Sequence, residues 1–491
     1  EYDIAVKYHR DMNYNMIRNW VGQTGDEEFY QACDKYGIMI WQDFWLANPA
    51  DGPDPMNEGM FLKNAKDYIY RIRNHASIGL YCGRNEGYPP KTIDKALRED
   101  IDALNPGIVY ISSSADDGVS GHGPYWAIPA KEYFERQSGK LHSERGMPNM
   151  MTFEGLSRTL SPEALWPQNN EWGQHDYTMQ GAQRGASFNK IIETAFGKID
   201  NAKKFAELAQ WENYEGYRAM YESDSKDRLG LLIWMSHSCW PSMTWQTYDY
   251  YFEPTAAFFG VKKACEPLHI QWNASTRNME VVNLNQTVSG MLTARCEVLD
   301  MYGKSISKYE TSLQTNPDTT VVCANIPVPT MNGTVYFLKL SLTDAQSRQL
   351  SSNFYVCSTQ DGNLQALNSL PSAQVKTDVN WDRNRAIVTL TNISDTPALM
   401  NRLNLKAIDT QSLVTKEWYV SAKNTSVLED KTEQILPVDY SDNYFHLMPG
   451  ETKTITIGWS NEDARGGKPL IELTGFNVKT TRILSAPDTI L

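Results

Sequence analysis

The strongest constraint on this chain is a change of pattern near residue 268. Before that point short apolar runs alternate with stretches of helical spacing. Met16-Ile17-Arg18-Asn19, Gly37 to Gln42, Ile78 to Cys82, Gly107 to Ser112, Lys140 to Ser143 and Gly230 to Met235 read as buried strands, with a short piece near Tyr125-Trp126. Helices are expected over Asp26 to Tyr36, which has acidic residues in its first turn, and over Gly59 to Asn74. Strands separated by helices pair in parallel, and this many units close most economically as a (β/α)-barrel.

After Cys265 helical spacing gives way to strands. Met279 to Leu284, Met291 to Leu299, Thr334 to Leu342, Asn353 to Cys357, Arg385 to Thr391, Leu403 to Ile408, Thr452 to Trp459 and Leu470 to Phe476 alternate apolar and polar residues between turn residues. Two immunoglobulin-like β-sandwiches account for such strands at such intervals. The expected organisation is a (β/α)8-type barrel over 1–268, a β-sandwich over 269–358 and a second over 374–491. Ser358 to Ala373, rich in Ser, Asn, Gln and Gly, reads as the linker.

Composition narrows the function. With 46 Lys and Arg against 59 Asp and Glu, a net charge of −13 opposes general nucleic-acid binding. No apolar run approaches the ~20 residues of a membrane-spanning helix. Seven cysteines without a C-x-x-C pair suggest neither a disulfide scaffold nor a zinc cluster. Ten of the 14 Trp lie before residue 268, and aromatic rings gathered at strand ends suit the C–H faces of sugars.

In a parallel barrel the residues just past each strand's C-terminal end face the site. Those positions hold Arg18-Asn19-Trp20, Gln42-Asp43, Arg84-Asn85-Glu86, Ser113-Ser114, Ser143-Glu144 and Trp234. Two carboxylates in a ring of Trp and amide side chains are what glycoside hydrolysis requires, one as proton donor and one as nucleophile or base. Gly87 after Glu86, and Gly146 and Pro148 after Glu144, mark turns that present these side chains. Glu154 sits in an apolar stretch and reads as structural.

Several motifs then resemble glycoside hydrolase family 2. They are Asn15-Met16-Ile17-Arg18, Phe29 to Gly37 followed by Ile38 to Phe44, and Arg73-Asn74-His75-Ala76-Ser77-Ile78 ahead of Asn85-Glu86. Trp240-Pro241-Ser242, Tyr248-Asp249-Tyr250-Tyr251 and Lys262 to Gln271 resemble its exo-β-D-glucosaminidases, and other parts its β-mannosidase branch. The resemblance implies Glu86 as acid/base and Glu144 as nucleophile of a retaining exo-β-glycosidase. It further implies Asn85 at the sugar's 2-position, Trp20, Trp234 and Trp240 as sugar platforms, and Asp43 and Tyr125 contacting sugar or nucleophile. Glu86 would need a raised pKa to act as acid. No metal or organic cofactor is required. The β-mannoside, β-glucosaminide and β-galactoside alternatives stay open. So does a catalytically idle carbohydrate-binding or structural fragment. Exo-glucosaminidases carry an Asp at the acid/base position and an acid after strand two, where this chain has Glu86 and Asn19-Trp20-Val21-Gly22.

The family also implies partners: an oligosaccharide or polysaccharide substrate, and the N-terminal jelly-roll and immunoglobulin-like domains that precede the barrel. Here Glu1 to Asn13 already reads as the first barrel helix, so strand one is expected to be missing. Strands two and eight should then flank a gap without pairing. Enzymes of this kind work in the periplasm or outside the cell more often than in the cytoplasm.

Overall fold

The structure is a computed structural model and describes residues 1–21, 25–177, 185–360, 362–408 and 432–485. Its first part alternates helix and parallel strand: α1 (Tyr2–Asp11), β1 (Met16–Asn19), α2 (Glu27–Tyr36), β2 (Met39–Asp43), α3 (Glu58–Ile72), β3 (Ile78–Arg84), α4 (Lys91–Leu104) and β4 (Val109–Ser113). These strands pair in chain order, with Ile17 opposite Ile40 and Tyr81 opposite Tyr110. Local sequence explains the boundaries. Glu27 and Glu28 complement the positive end of α2, and Gly37 closes that helix at φ 70°. The Asn57 side chain accepts from Met60 N at the start of α3. Ile69 and Ile72 of α3 and Ile93, Leu97 and Ile101 of α4 pack on Ile40 and Tyr81 in one buried core.

A second parallel pair follows α5 (Ala130–Glu135): β5 (His142–Arg145) beside β6 (Leu231–Ile233). Between them in sequence run α6 (Phe153–Thr159), α7 (Asn170–Gln174), α8 (Gly185–Phe196) and α9 (Ala202–Ser225), and α10 (Ala256–Ala264) comes after β6. Ser120 bridges to His142 on the other side of β5. Among the described residues no ladder joins β1 to β6. A cavity of about 320 Å³ opens between them, backed by Val6 and His9 of α1 and lined by Met16, Ile17 and Leu232. The expected short strand at Tyr125-Trp126 is absent. A turn with a cis Gly123–Pro124 peptide occupies that position.

After α10 the structure is antiparallel. Strands Ser305–Thr315, Gly290–Asp300, Val335–Thr343 and Gln349–Ser358 form one sheet, and Thr319–Asn325, Asn278–Asn283 and Leu268–Asn273 another. Their inner faces meet through Ile270, Val281, Val298 and Leu338. The last part pairs Val375–Asp382, Arg385–Asn392, Thr452–Trp459 and Val438–Tyr440 in one sheet, facing a second built on Ala398–Ile408 and Lys468–Thr474. The expected linker is not loose. Leu364, Leu367 and Leu370 are buried, and Leu364 N donates to Ala195 O at the end of α8. Apolar residues at that spacing dock the segment on the helical layer despite its polar composition.

Candidate active site

The C-terminal ends of β1, β2, β3 and β5 bring Arg18, Asp43, Asn85, Glu86 and Glu144 together. Arg18 stands at the centre with a side chain only 5% exposed. Its guanidinium donates to Asp43 Oδ2 at 2.8 Å, Asn85 Oδ1 at 2.7 Å and Glu144 Oε2 at 3.1 Å. An arginine can only donate, so these bonds fix the Asn85 amide with its oxygen inward and leave its NH₂ to donate outward.

Two local features present the carboxylates. Glu86 takes a left-handed conformation, φ 48°, and its N–H donates to Ser114 Oγ at 2.9 Å. The tight conformation thus belongs to Glu86 itself. Gly87 serves another end, since a Cβ there would meet Pro49 Cγ at 2.8 Å. Beyond Glu144, Gly146 lets the strand pass the Trp234 carbonyl, which a Cβ would approach to 2.1 Å.

Glu144 is buried. Its Oε1 accepts from the Tyr125 hydroxyl and its Oε2 from Arg18. Burial, and the hydrogen bond it shares with Glu86, push its carboxyl up to about 7 against the pull of Arg18. For Glu86 burial opposes ionisation. The bond to Glu144, the His122 imidazole and the Asn48 amide outweigh it and hold the carboxyl below its usual value. This is opposite to the sequence expectation, which has Glu86 as the group with the raised pKa.

Aromatic rings wall one side. Trp20 meets Trp234 edge to face at 4.7 Å, Trp234 lies 6.4 Å from Trp245, and Trp245 lies 6.0 Å from Tyr125. Trp240 is separate, 41% exposed and stacked on His175 at 5.1 Å. Asp43 is buried, and its oxygens also accept from Trp41 Nε1 at 2.7 Å and Val21 N at 3.3 Å. It reaches the site through Arg18 rather than through the open face.

Sequence reasoning passed over Asn48 and His122, both on loops with no strand-end signal. Arg18 stood in the strand-end ring without being singled out. Its signal was parity, because alternation on β1 turns Arg18 to the same face as Met16 and Trp20. Glu154 pairs with Arg402 of the last sandwich at 3.1 Å, away from this cluster.

Residues 353–421 and 415–478 match the model of the exo-β-D-glucosaminidase Ig-fold domain. A mannosylglycoprotein endo-β-mannosidase of Lilium longiflorum is 28% identical over 97% of this chain and 60% of its own length. An exo-β-D-glucosaminidase of Streptomyces avermitilis is 25% identical over 98% of this chain and 57% of its own. The chain therefore spans about three-fifths of these relatives. The crystal structure of the exo-chitosanase CsxA of Amycolatopsis orientalis superposes with a TM-score of 0.82 at 22% identity, over 99% of this chain and 61% of that one. The β-D-mannosidase of Dictyoglomus thermophilum gives 0.78 at 20%, over 97% and 58%. At such identities the superposition reports the shared fold. Along nearly its whole length, the chain is similar in sequence to mannosylglycoprotein endo-β-mannosidase and to exo-β-D-glucosaminidases, and its last part to the Ig-fold domain of the latter.

Proposed function

We propose that this chain carries the active site of a retaining exo-β-glycosidase acting on a β-mannoside, β-glucosaminide or β-galactoside. The observation that carries the reading is that Glu86 and Glu144 project from the ends of β3 and β5 around Arg18, Asn85 and Tyr125, with Arg18 bonding Glu144 and Asn85 and Tyr125 bonding Glu144. A retaining pair stands ~5–5.5 Å apart and an inverting pair ~6.5–9.5 Å, and the influence of Glu86 and Glu144 on each other's ionisation favours the shorter spacing. Glu144 is the nucleophile in this reading, held by Tyr125 and Arg18. Glu86 is the acid and then the base, and Asn85 donates to the sugar's 2-position. Trp20 and Trp234 form the platform beneath the ring.

A sugar entering between the carboxyls breaks their mutual bond, which is one of the causes holding Glu144 up. Arg18 and Tyr125 remain on Glu144 and favour its ionised form. The shared proton then passes to Glu86, which protonates the leaving oxygen as Glu144 attacks the anomeric carbon. Once Glu144 is esterified its charge is gone, Glu86 ionises, and it takes a proton from the water that releases the sugar.

The incomplete barrel belongs to the same reading. Among the described residues β1 and β6 each leave one edge without a ladder, and the cavity between them reaches Arg18, Trp20, Glu144 and Trp234. A parallel strand from another part of the full-length protein would complete the (β/α)8-type wall, with the two sandwiches as the domains that follow it. Among the described residues no helix is long and apolar enough to cross a membrane. We place the protein in the periplasm or outside the cell, where polymeric glycans are met.

Trapping tests the mechanism. Incubation with a panel of 2-deoxy-2-fluoro aryl β-glycosides should add one sugar mass to the peptide containing Glu144. Glu144→Ala should lower turnover by about 10⁴-fold or more, with slow product formation returning when azide is supplied. Label on another residue, or near-normal turnover by Glu144→Ala, would refute the assignment.

A further inference from the structure

The turn between β4 and α5 touches both carboxylates. Its Tyr125 hydroxyl bonds Glu144 Oε1, and three residues earlier His122 Nδ1 lies 3.1 Å from Glu86 Oε1. The first residues of the turn bond the segment that carries Glu86, and the stretch around His122 is fastened to the strand that carries Glu144. Ser120 N donates to Leu141 O at 2.9 Å, Ser143 N to Ser120 O at 2.7 Å, and Gly146 N to Pro124 O at 3.2 Å. His122 therefore reaches Glu86 from the frame of β5 and ties the two halves of the site together.

The other Glu86 oxygen has a fixed partner. Asn48 Nδ2 donates to Oε2 at 2.6 Å, and the amide cannot turn over because its Oδ1 accepts from Ala50 N at 2.8 Å. Glu86 is further faced by Glu144 from β5, by Tyr125, and by Ser114 at the end of β4. Arg18 bonds Glu144 and Asn85 instead. His122 is the nitrogen partner of Glu86 that can change between accepting and donating without moving, since an imidazole nitrogen does either, whereas the Asn48 amide can only donate there.

We propose that His122 is a positioning residue for Glu86, holding Oε1 and donating to it when Glu86 must be ionised as the base of the second step. This rests on the acid/base role proposed above for Glu86. A donor on the carboxylate favours its ionised form, so with His122 in place deglycosylation extends to lower pH.

The position permits a clean test. His122 has φ 64° and a side chain 60% exposed, so His122→Gly suits the backbone and opens no core cavity. His122→Asn also tolerates a left-handed φ and places an amide nitrogen close to the Nδ1 position. The longest native polypeptide containing this chain is assayed on a dinitrophenyl β-glycoside, whose leaving group needs no acid, so that kcat reports deglycosylation. In His122→Gly the acidic limb of kcat should move up by roughly 0.5–1 pH unit, and His122→Asn should recover at least half of that shift. Azide, which needs no general base, should remove the difference between His122→Gly and the parent at acidic pH. A uniform fall in kcat at every pH, an unmoved limb, or a deficit that azide leaves in place would overturn the proposal while Glu86 kept its role. A parent that hydrolyses no aryl β-glycoside would overturn both.

Discussion

Two arginines in this protein, one buried and one partly exposed, each bridge two carboxylates, with opposite results. Arg18 lies between Asp43 and Glu144 at the strand ends, and Arg402 between Glu154 and Glu253 where the last sandwich meets the helical layer. Glu154 is driven down to about 2, by Arg402 and then Lys406 against the cost of its burial. Glu144 is pushed up to about 7 by burial and by Glu86. The difference lies in the company. Asn404 adds a further donor to Glu154 at 2.8 Å. Arg18 is shared with Asp43 and Asn85, and Glu144 also faces a second carboxyl group. One cluster is satisfied and holds domains together. The other is left short of positive charge, the condition in which a proton moves easily between two groups.

Replacing each arginine with Met separates these roles. Arg18→Met leaves Asp43 and Glu144 without their cation and should lower kcat/KM by about 10³–10⁴-fold on an aryl glycoside. If activity fell by less than tenfold, the site would not depend on this charge. Arg402→Met removes the shared cation of Glu154 and Glu253 at a partly exposed interface and should cost about 2–4 kcal/mol in denaturant unfolding, with kcat/KM close to the parent's. Its cost should also depend on acidity. Glu154 has a folded value below its unfolded one, so its stabilisation is complete above pH ~4.5 and fades as pH falls toward 2. Loss of activity with unchanged stability would reverse the comparison.

The smallest effect carries the opposite sign. Glu144 has a folded value above its unfolded one, so ionising it opposes folding: stability falls as pH rises from ~4.5 to ~7, and the penalty persists above that. Glu144→Gln should therefore stabilise by about 1–3 kcal/mol at pH 8 and by much less at pH 4. Thermal unfolding at the two pH values reads this directly. A gain that did not change with pH would mean that Glu144 carries no such strain.

The same contrast separates what was legible in the residues from what was not. Glu86, Glu144, Asn85 and Trp234 follow from strand ends, because a buried parallel strand announces itself as an apolar run and its last residue is easily located. Tyr125 was placed at the sugar or at Glu144 through the family resemblance, and it bonds Glu144 although the strand expected there is a turn. His122 and Asn48 carry no local sign, since a loop residue's partner depends on how the loop folds back. Trp240 shares the aromatic character of Trp20 and Trp234 yet lies apart from them on His175. Composition cannot tell such rings apart.

The sequence by itself determined the alternation of helix and parallel strand up to residue 268, the turn to antiparallel strands after it, and the boundaries of elements such as Thr452–Trp459. Periodicity reports which face of an element is buried, and Gly, Pro and capping residues report where it stops. Only the tertiary structure decided that Asp43 serves Arg18 rather than the open face, that His122 and Asn48 meet Glu86, and that Glu144 rather than Glu86 has the raised pKa. Those outcomes depend on distances between side chains remote in sequence and on how far each is removed from water, and no local pattern encodes either.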